Sequence, residues 1–267
     1  MSNVIARFHR LHESGCFVIP NPWDCGSARL LAQTGFPALA TTSSGFAWSL
    51  GRRDNHVTVE EALAHFRAIT GVVDVPVSGD FEAGFAADAD AVAANVAAAA
   101  KTGLAGLSIE DSTGNPDNPL FDFALAVERV RAARRAINES DTGVVLTARS
   151  EGFIAGRPDL DETIRRLKAY AAAGADCLYA PGLRDIAHIG AVVEAVAPKP
   201  VNVLVGSDFT TVDALRAVGV RRISVGGGLA RAAWTGFLEA AQEIADQGTF
   251  TALARAIPGG RMNGSFA

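Results

Sequence analysis

An apolar run, Val75-Pro76-Val77, leads into two carboxylates spaced as Asp80-x-Glu82, with Gly84 close behind. In an extended strand, residues i and i+2 project to the same side. A strand running through Glu82 would therefore point both carboxylates the same way at its end. Two like charges there repel, and withdrawing them from water is costly unless a positive charge lies between them. A hard divalent cation with oxygen ligands meets that need, most simply Mg2+, with Mn2+ as a substitute. The simpler alternative is a solvated loop after the strand, because a single D-x-E pair is a common pattern.

Other apolar runs also end in groups able to do chemistry. Glu110 and Asp111 follow Leu107-Ser108-Ile109, and Arg149 follows Val144 to Ala148, with Glu151 just beyond. Thr41, Thr42, Ser43 and Ser44 follow Leu39-Ala40, and Asn202 lies between Val201 and Val203. Acids, hydroxyls and one arginine together suit a metal held by carboxylates with donors for an anionic substrate. Each has a structural alternative. Asp111 is read as a cap for the following turn. Glu110 either ligates the metal or pairs with Arg149, and Asn202 either meets a substrate or satisfies backbone groups. The histidines at 9, 12, 56, 65 and 188 fall on helices or loops, and only His56 comes near this set, with a surface role. The lysines are Lys101, Lys168 and Lys199, none at a strand end, which argues against Schiff-base chemistry.

The elements that position these residues alternate. The pattern predicts strands at 16–20, 38–44, 76–82, 106–111, 143–150, 177–181, 200–205 and 222–225. Helical patterns lie between them, at 26–34, 59–73, 87–102, 121–138, 160–173, 185–197, 211–218 and 230–246. Thr58 with Glu61, and Asp159 with Glu162, have the spacing of capping boxes. Strand–helix alternation implies parallel pairing, and this number of units predicts a (β/α)8 barrel with its site at the carboxyl ends of the strands. A doubly wound open sheet is the competitor, but no GxGxxG follows the first strand. Gly226-Gly227-Gly228 is either a phosphate cradle at a helix N-terminus or a tight turn.

The 267 residues, 49% of them hydrophobic, suffice for one large core spanning 1–267, with a helical extension at about 229–267. A net charge of −5 without basic runs argues against nucleic acid. Three dispersed cysteines, a polar N-terminus and no apolar run of membrane-spanning length lead to the expectation of a cytoplasmic enzyme that meets no membrane.

In chain order, Asn21-Pro22-Trp23-Asp24-Cys25-Gly26-Ser27-Ala28, Thr41-Thr42-Ser43, Ser49 to Asp54, Asp80-x-Glu82 with Gly84, Ile109-Glu110-Asp111 and Ala148-Arg149 resemble the isocitrate lyase/phosphoenolpyruvate mutase superfamily. The resemblance spans residues 15 to 230. It implies a (β/α)8 TIM-type barrel, as a homotetramer or dimer with the last helix swapped between subunits, and Mg2+ at the carboxyl end. By position, Asp80 corresponds to the direct metal ligand, and Glu82, Asp54 and Glu110 to the remaining acids, some acting through water. Thr42, Ser43 and Ser44 correspond to the stretch that holds a substrate's carboxylate and 2-oxo oxygen. Arg149 corresponds to the arginine that binds substrate and stabilises an enolate, and Asn202 to a substrate contact.

The sequence departs from the lyase pattern at 112–119, which has neither the cysteine nor the histidine of the Lys-Cys-Gly-His loop, and at Pro181-Gly182, where lyases place a glutamate. The resemblance therefore implies a Mg2+-dependent enzyme that cleaves a C–C bond in a small 2-oxo or 2-hydroxy (di)carboxylic acid through a metal-bound enolate. The general acid is unassigned, with Glu151 or a loop group as candidates. The alternatives are phosphonopyruvate hydrolase, phosphoenolpyruvate mutase or oxaloacetate decarboxylase activity, or a non-catalytic 2-oxo acid binding protein.

Overall fold

A computed structural model describes residues 3–267. Its strands are β1 (Phe17–Ile19), β2 (Leu39–Ala40), β3 (Val77–Asp80), β4 (Gly106–Glu110), β5 (Val145–Arg149), β6 (Cys177–Tyr179), β7 (Val201–Leu204) and β8 (Arg222–Ser224). They form one all-parallel sheet in the order β1-β8-β7-β6-β5-β4-β3-β2. Where β2 meets β1 no ladder forms, but the Ala40 N–H donates to Pro20 O at 3.0 Å and all but closes the sheet. The architecture is the (β/α)8 barrel that the alternation predicts.

The helices are α1 (Asn3–Glu13), α2 (Cys25–Gln33), α3 (Ser43–Ser49), α4 (Val59–Thr70), α5 (Ala89–Ala99), α6 (Phe123–Glu139), α7 (Leu160–Ala172), α8 (Ile186–Val196), α9 (Val212–Ala217), α10 (Gly228–Gln247) and α11 (Gly259–Gly264). Thr58 caps α4 in a full box with Glu61. Asp159 caps α7 by accepting from the Glu162 N–H, without the reciprocal bond. The outer helices bury apolar faces in one core, including Val92, Val96 and Ala99 of α5 and Val130 and Ala133 of α6.

Three features differ from the pattern-based expectation. The strand expected over 38–44 stops at Ala40, because the Thr42 side chain accepts from the Gly45 N–H and starts α3. The strand expected over 76–82 stops at Asp80, and Glu82 adopts a left-handed φ of +48°. At the N-terminus, 3–13 forms an amphipathic helix with Ile5 and Phe8 buried. That helix covers the amino-terminal end of the barrel, where His9 Nε2 hydrogen-bonds Gly143 O at 2.8 Å.

Beyond the barrel, α10 buries only Ala230 and leaves Trp234, Phe237 and Leu238 exposed. Glu243 then accepts from Thr249 Oγ1 and the Thr251 and Ala252 N–H groups, turning the chain back. The tail contacts its own α2 region: Gln33 Nε2 donates to Ser265 O at 2.6 Å, and Arg29 lies over the Phe266 ring.

Gly106 opens β4 where α1 crosses it. A Cβ there would stand 2.5 Å from Phe8 Cε1 and 3.2 Å from Val145 O. Overpacking of this kind costs about 1–3 kcal/mol, so Gly106→Ala is expected to lower the urea midpoint by that equivalent. An unchanged midpoint would mean that α1 does not press on the barrel floor.

Candidate active site

The carboxyl ends of the strands surround a cavity of about 160 Å³, room for several waters or one small organic acid. Thr42, Ser43, Ser44, Asp54, Asp80 and Arg149 line its rim, with Asn202, Arg222 and Ser224 also in its wall.

Arg149, the last residue of β5, is the centre of the rim. Its Nη1 donates to Asp80 Oδ1 at 2.8 Å, its Nε to Glu151 Oε1 at 2.8 Å, and its Nη2 lies 3.1 Å from Glu110 Oε2. Register explains one of these contacts, since Glu110 and Arg149 are paired residues of neighbouring parallel strands. The alternative reading of Glu110 as an ion-pair partner of Arg149 is thus realised. Burial alone would disfavour the guanidinium, but Glu110, Glu151 and Asp80 outweigh it and hold its pKa well above the usual arginine value.

Asp80 is held on both oxygens. Its Oδ2 accepts from the Ser43 N–H at 3.0 Å and Ser43 Oγ at 2.9 Å, and its Oδ1 also takes a long bond from Ser108 Oγ at 3.4 Å. Its own N–H donates to Thr41 Oγ1 at 2.9 Å. The early end of β2 is what allows this, because α3 must start at Ser43 for that N–H to face Asp80.

Glu82 comes near Asp80 by a different route from strand alternation. The left-handed turn at Glu82 brings its carboxyl beside a small space shared with Asp80, Thr42 and His65. Burial, then Asp80 and Asp54, push the Glu82 carboxyl up to about 8. Asp54 sits in an exposed loop but turns its carboxyl into the cavity, where burial and Asp80 raise its pKa. Burial likewise raises Glu110 and Glu151, with Arg149 opposing in both cases. Five carboxylates therefore crowd one guanidinium.

Two assignments change. Asp111 caps no turn: it is buried and accepts from the Glu151 N–H at 2.7 Å, Arg166 Nη1 at 3.0 Å and Tyr170 Oη at 2.6 Å. It thereby fixes the turn that carries Glu151. Asn202 satisfies side chains, donating to Ser224 Oγ at 2.9 Å and accepting from Arg222 Nε at 2.9 Å, while remaining in the cavity wall. The glycine run after β8 serves as a turn: Gly226 has φ +51°, and a Cβ on Gly227 would come within 2.8 Å of Ser44 Oγ. Gly226 and Gly227 also line the cavity, and the buried Asn21 secures them by accepting from the Val225 and Gly226 N–H groups.

Sequence reasoning missed three residues. His65 stacks on Phe46 with ring centroids 3.9 Å apart, behind α3, and burial lowers its pKa to about 4. Arg129 of α6 donates to Ala83 O inside the Glu82 turn and lies 3.8 Å from the centre of the Phe121 ring. Arg222 lines the lower part of the cavity wall. Helical spacing and strand position give no signal for any of the three, since each acts through a contact distant in sequence. Among the described residues, no lysine lines the cavity.

A parallel barrel with acids, an arginine and hydroxyls at its carboxyl rim defines a (β/α)8 enzyme scaffold. The chain belongs to the phosphoenolpyruvate phosphomutase family, whose model matches residues 8–245, within the isocitrate lyase/PEP mutase superfamily of lyases and mutases. It is similar to a candidate lyase/mutase of Burkholderia cenocepacia J2315 of known crystal structure, with 47% identity and a TM-score of 0.96 over 99% of this chain and 95% of the other. It is 34% identical to 2-methylisocitrate lyase of Escherichia coli K12 over 62% of this chain and 58% of that one. It is 32% identical to oxaloacetate decarboxylase of Paraburkholderia xenovorans LB400, over 70% and 63% respectively. Among the described residues, no helix is long and apolar enough to cross a membrane.

The raised Glu82 carboxyl has a thermodynamic consequence. With divalent cations chelated, the folded chain keeps a proton there that the unfolded chain releases from about pH 4.5 upward. Stability should therefore fall as pH rises from about 4.5 toward 8. Glu82→Gln should make that fall shallower in urea titrations across the same range. An identical slope in the variant would place the proton elsewhere.

Proposed function

We propose that the chain is a Mg2+-dependent carbon–carbon lyase acting on a small 2-oxo or 2-hydroxy acid by way of an enolate. The observation that carries this is the rim itself, a half-buried arginine held by Asp80, Glu110 and Glu151 over a cavity of small-acid size.

The residues fit a hydrated hard cation. Five oxygen-donor carboxylates face one guanidinium, and Asp54 and Glu82 are made weaker acids by burial and by Asp80. Among the described residues, no three His, Cys, Asp or Glu side chains converge as a ready ligand set. Mg2+ takes one or two carboxylates directly and keeps several waters, so it draws on only part of this carboxylate set. Asp80 would hold it directly, with Asp54, Glu82 and Glu110 reaching it through water. When bound, it supplies positive charge beside a substrate carboxylate and 2-oxo oxygen.

The chain's own groups do the rest. Thr42, Ser43 and Ser44 hold the substrate's oxygens at the start of α3. Arg149 meets the negative charge that develops as the bond beside the carbonyl breaks, and it needs no rearrangement because three carboxylates already fix its plane. Segment 112–119 has no cysteine or histidine, so the proton donor is sought among carboxylic acids. Glu151 is the candidate, being buried, raised in pKa, and beside Ser112, Asn115 and Pro119 in a second cavity. Decarboxylation of oxaloacetate is the second reading, favoured by the similarity to oxaloacetate decarboxylases.

The exposed Trp234, Phe237 and Leu238 on α10 support a homo-oligomer in which α10 packs against a second copy. Light scattering should show an assembly, and Phe237→Asp with Leu238→Glu should reduce its mass to that of one chain. A wild-type mass of one chain would refute the oligomer.

Oxalate mimics the pyruvate enolate and tests the site. At about 100 times its dissociation constant it should add about 2.7 kcal/mol of stability, with Mg2+ present. The shift should vanish on chelation and in Asp80→Ala. Arg149→Gln should lower kcat/KM by about 10²–10³-fold once a substrate is in hand. A folded protein that shows no Mg2+-dependent oxalate shift would rule out this reading.

A further inference from the structure

Arg222, the first residue of β8, projects into the barrel beneath the rim and is 5% exposed. Its Nε donates to Asn202 Oδ1 at 2.9 Å and its Nη2 to Thr147 Oγ1 at 3.0 Å. Its Nη1 lies 3.4 Å from His12 Nε2. His12 Nδ1 is engaged with Phe8 O at 2.8 Å, so Nε2 faces Arg222 as the acceptor of a neutral ring. Burial and Arg222 together lower the His12 pKa to about 3, which keeps that ring neutral.

Every partner of this guanidinium is therefore uncharged. Among the described residues no carboxylate forms an ion pair with Arg222, in contrast to Arg149, which has three. Buried arginines are ordinarily matched by an acid, because an unpaired buried charge is costly. A guanidinium has five N–H donors, and the three contacts leave two of them uncommitted. Arg222 also lines the same cavity as Arg149 and Asp80.

Its depth is set by the strands. The Nη2 group meets Thr147, two residues before Arg149 on β5, which places it roughly 6–7 Å of strand below the Arg149 Cα. One short dicarboxylate can span that interval, with its head at the rim and its far end at the floor.

We propose that Arg222 is a floor subsite for a second anionic group, and that it sets a preference for dianionic over monoanionic small acids. The reading rests on the rim site proposed above and deepens it by fixing the class of the substrate's distal end. Asn202, Thr147 and the neutral His12 orient the guanidinium without consuming its charge. The charge remains available to a distal carboxylate, which would take the place of the missing acid and accept a charge-assisted fork.

The test is calorimetric titration in Mg2+ with three probes: oxalate for the rim alone, and malate and lactate, which share a 2-hydroxy acid head and differ in a distal carboxylate against a methyl group. The wild type should bind malate about ten- to a hundred-fold more tightly than lactate, the range of one charge-assisted bond. Arg222→Gln should bring the ratio close to one while the oxalate affinity stays unchanged. Equal binding of malate and lactate by the wild type overturns the subsite without any variant, so a variant that fails to fold does not shield the proposal. A preserved ratio in folded Arg222→Gln overturns it too, and reduces Arg222 to a strut between β8, β7 and β5. Failure of oxalate to bind the wild type points instead to the rim reading, which separates the two.

Discussion

The site depends on one contact, the Arg149 guanidinium gripped by Asp80, Glu110 and Glu151. The charged forms of Glu110 and Glu151 are disfavoured by burial and by neighbouring carboxylates, and the arginine is disfavoured by burial. Together they form a network with more carboxyl groups than cations. That excess distinguishes the rim from a structural salt bridge, where charges usually balance. It gives the rim an affinity for cations while keeping a fixed cationic group pointed at the same space.

Several outer contacts hold that network in place. Asp111 receives Arg166, Tyr170 and the Glu151 N–H, tying the Glu151 turn to α7. Arg129 grips the Ala83 carbonyl and so fixes the left-handed turn of Glu82. Asn21 joins the ends of β1, β2 and β8 through Thr41 O and the Val225 and Gly226 N–H groups. Each uses a buried side chain to hold backbone, which is where a loop at a barrel mouth most needs rigidity. Glu82 is the strained member: a non-glycine residue at φ +48° is uncommon, and it stands where two acids must be brought together against their repulsion.

The barrel was legible because it is written in local signals. Alternating apolar runs, caps such as Thr58 and Asp159, and glycines after helices mark each unit. Asp80, Glu110 and Arg149 were legible because residues that end buried parallel strands must emerge at one rim. Periodicity failed where a single side chain redirected the backbone. Thr42 turned an expected strand into α3, and Glu82 left the strand before alternation could place it. The partners of Asp111 and Arg222 lie 20 to 210 positions away in the chain, beyond anything spacing can express.

The two arginines of the barrel interior divide the electrostatic work. Arg149 is fixed by acids, which set the plane in which its guanidinium is held at the rim. Arg222 is fixed by an amide, a hydroxyl and a neutral imidazole, so its position is just as constrained but its field is not cancelled. Placed one below the other along a single cavity, they create a gradient: acid-rich and cation-attracting at the mouth, purely cationic at the floor. A monoanion satisfies only one end of such a cavity. A molecule that chelates a cation with its head and carries a second negative group satisfies both, which is why the loss of the cysteine loop need not imply the loss of a defined substrate.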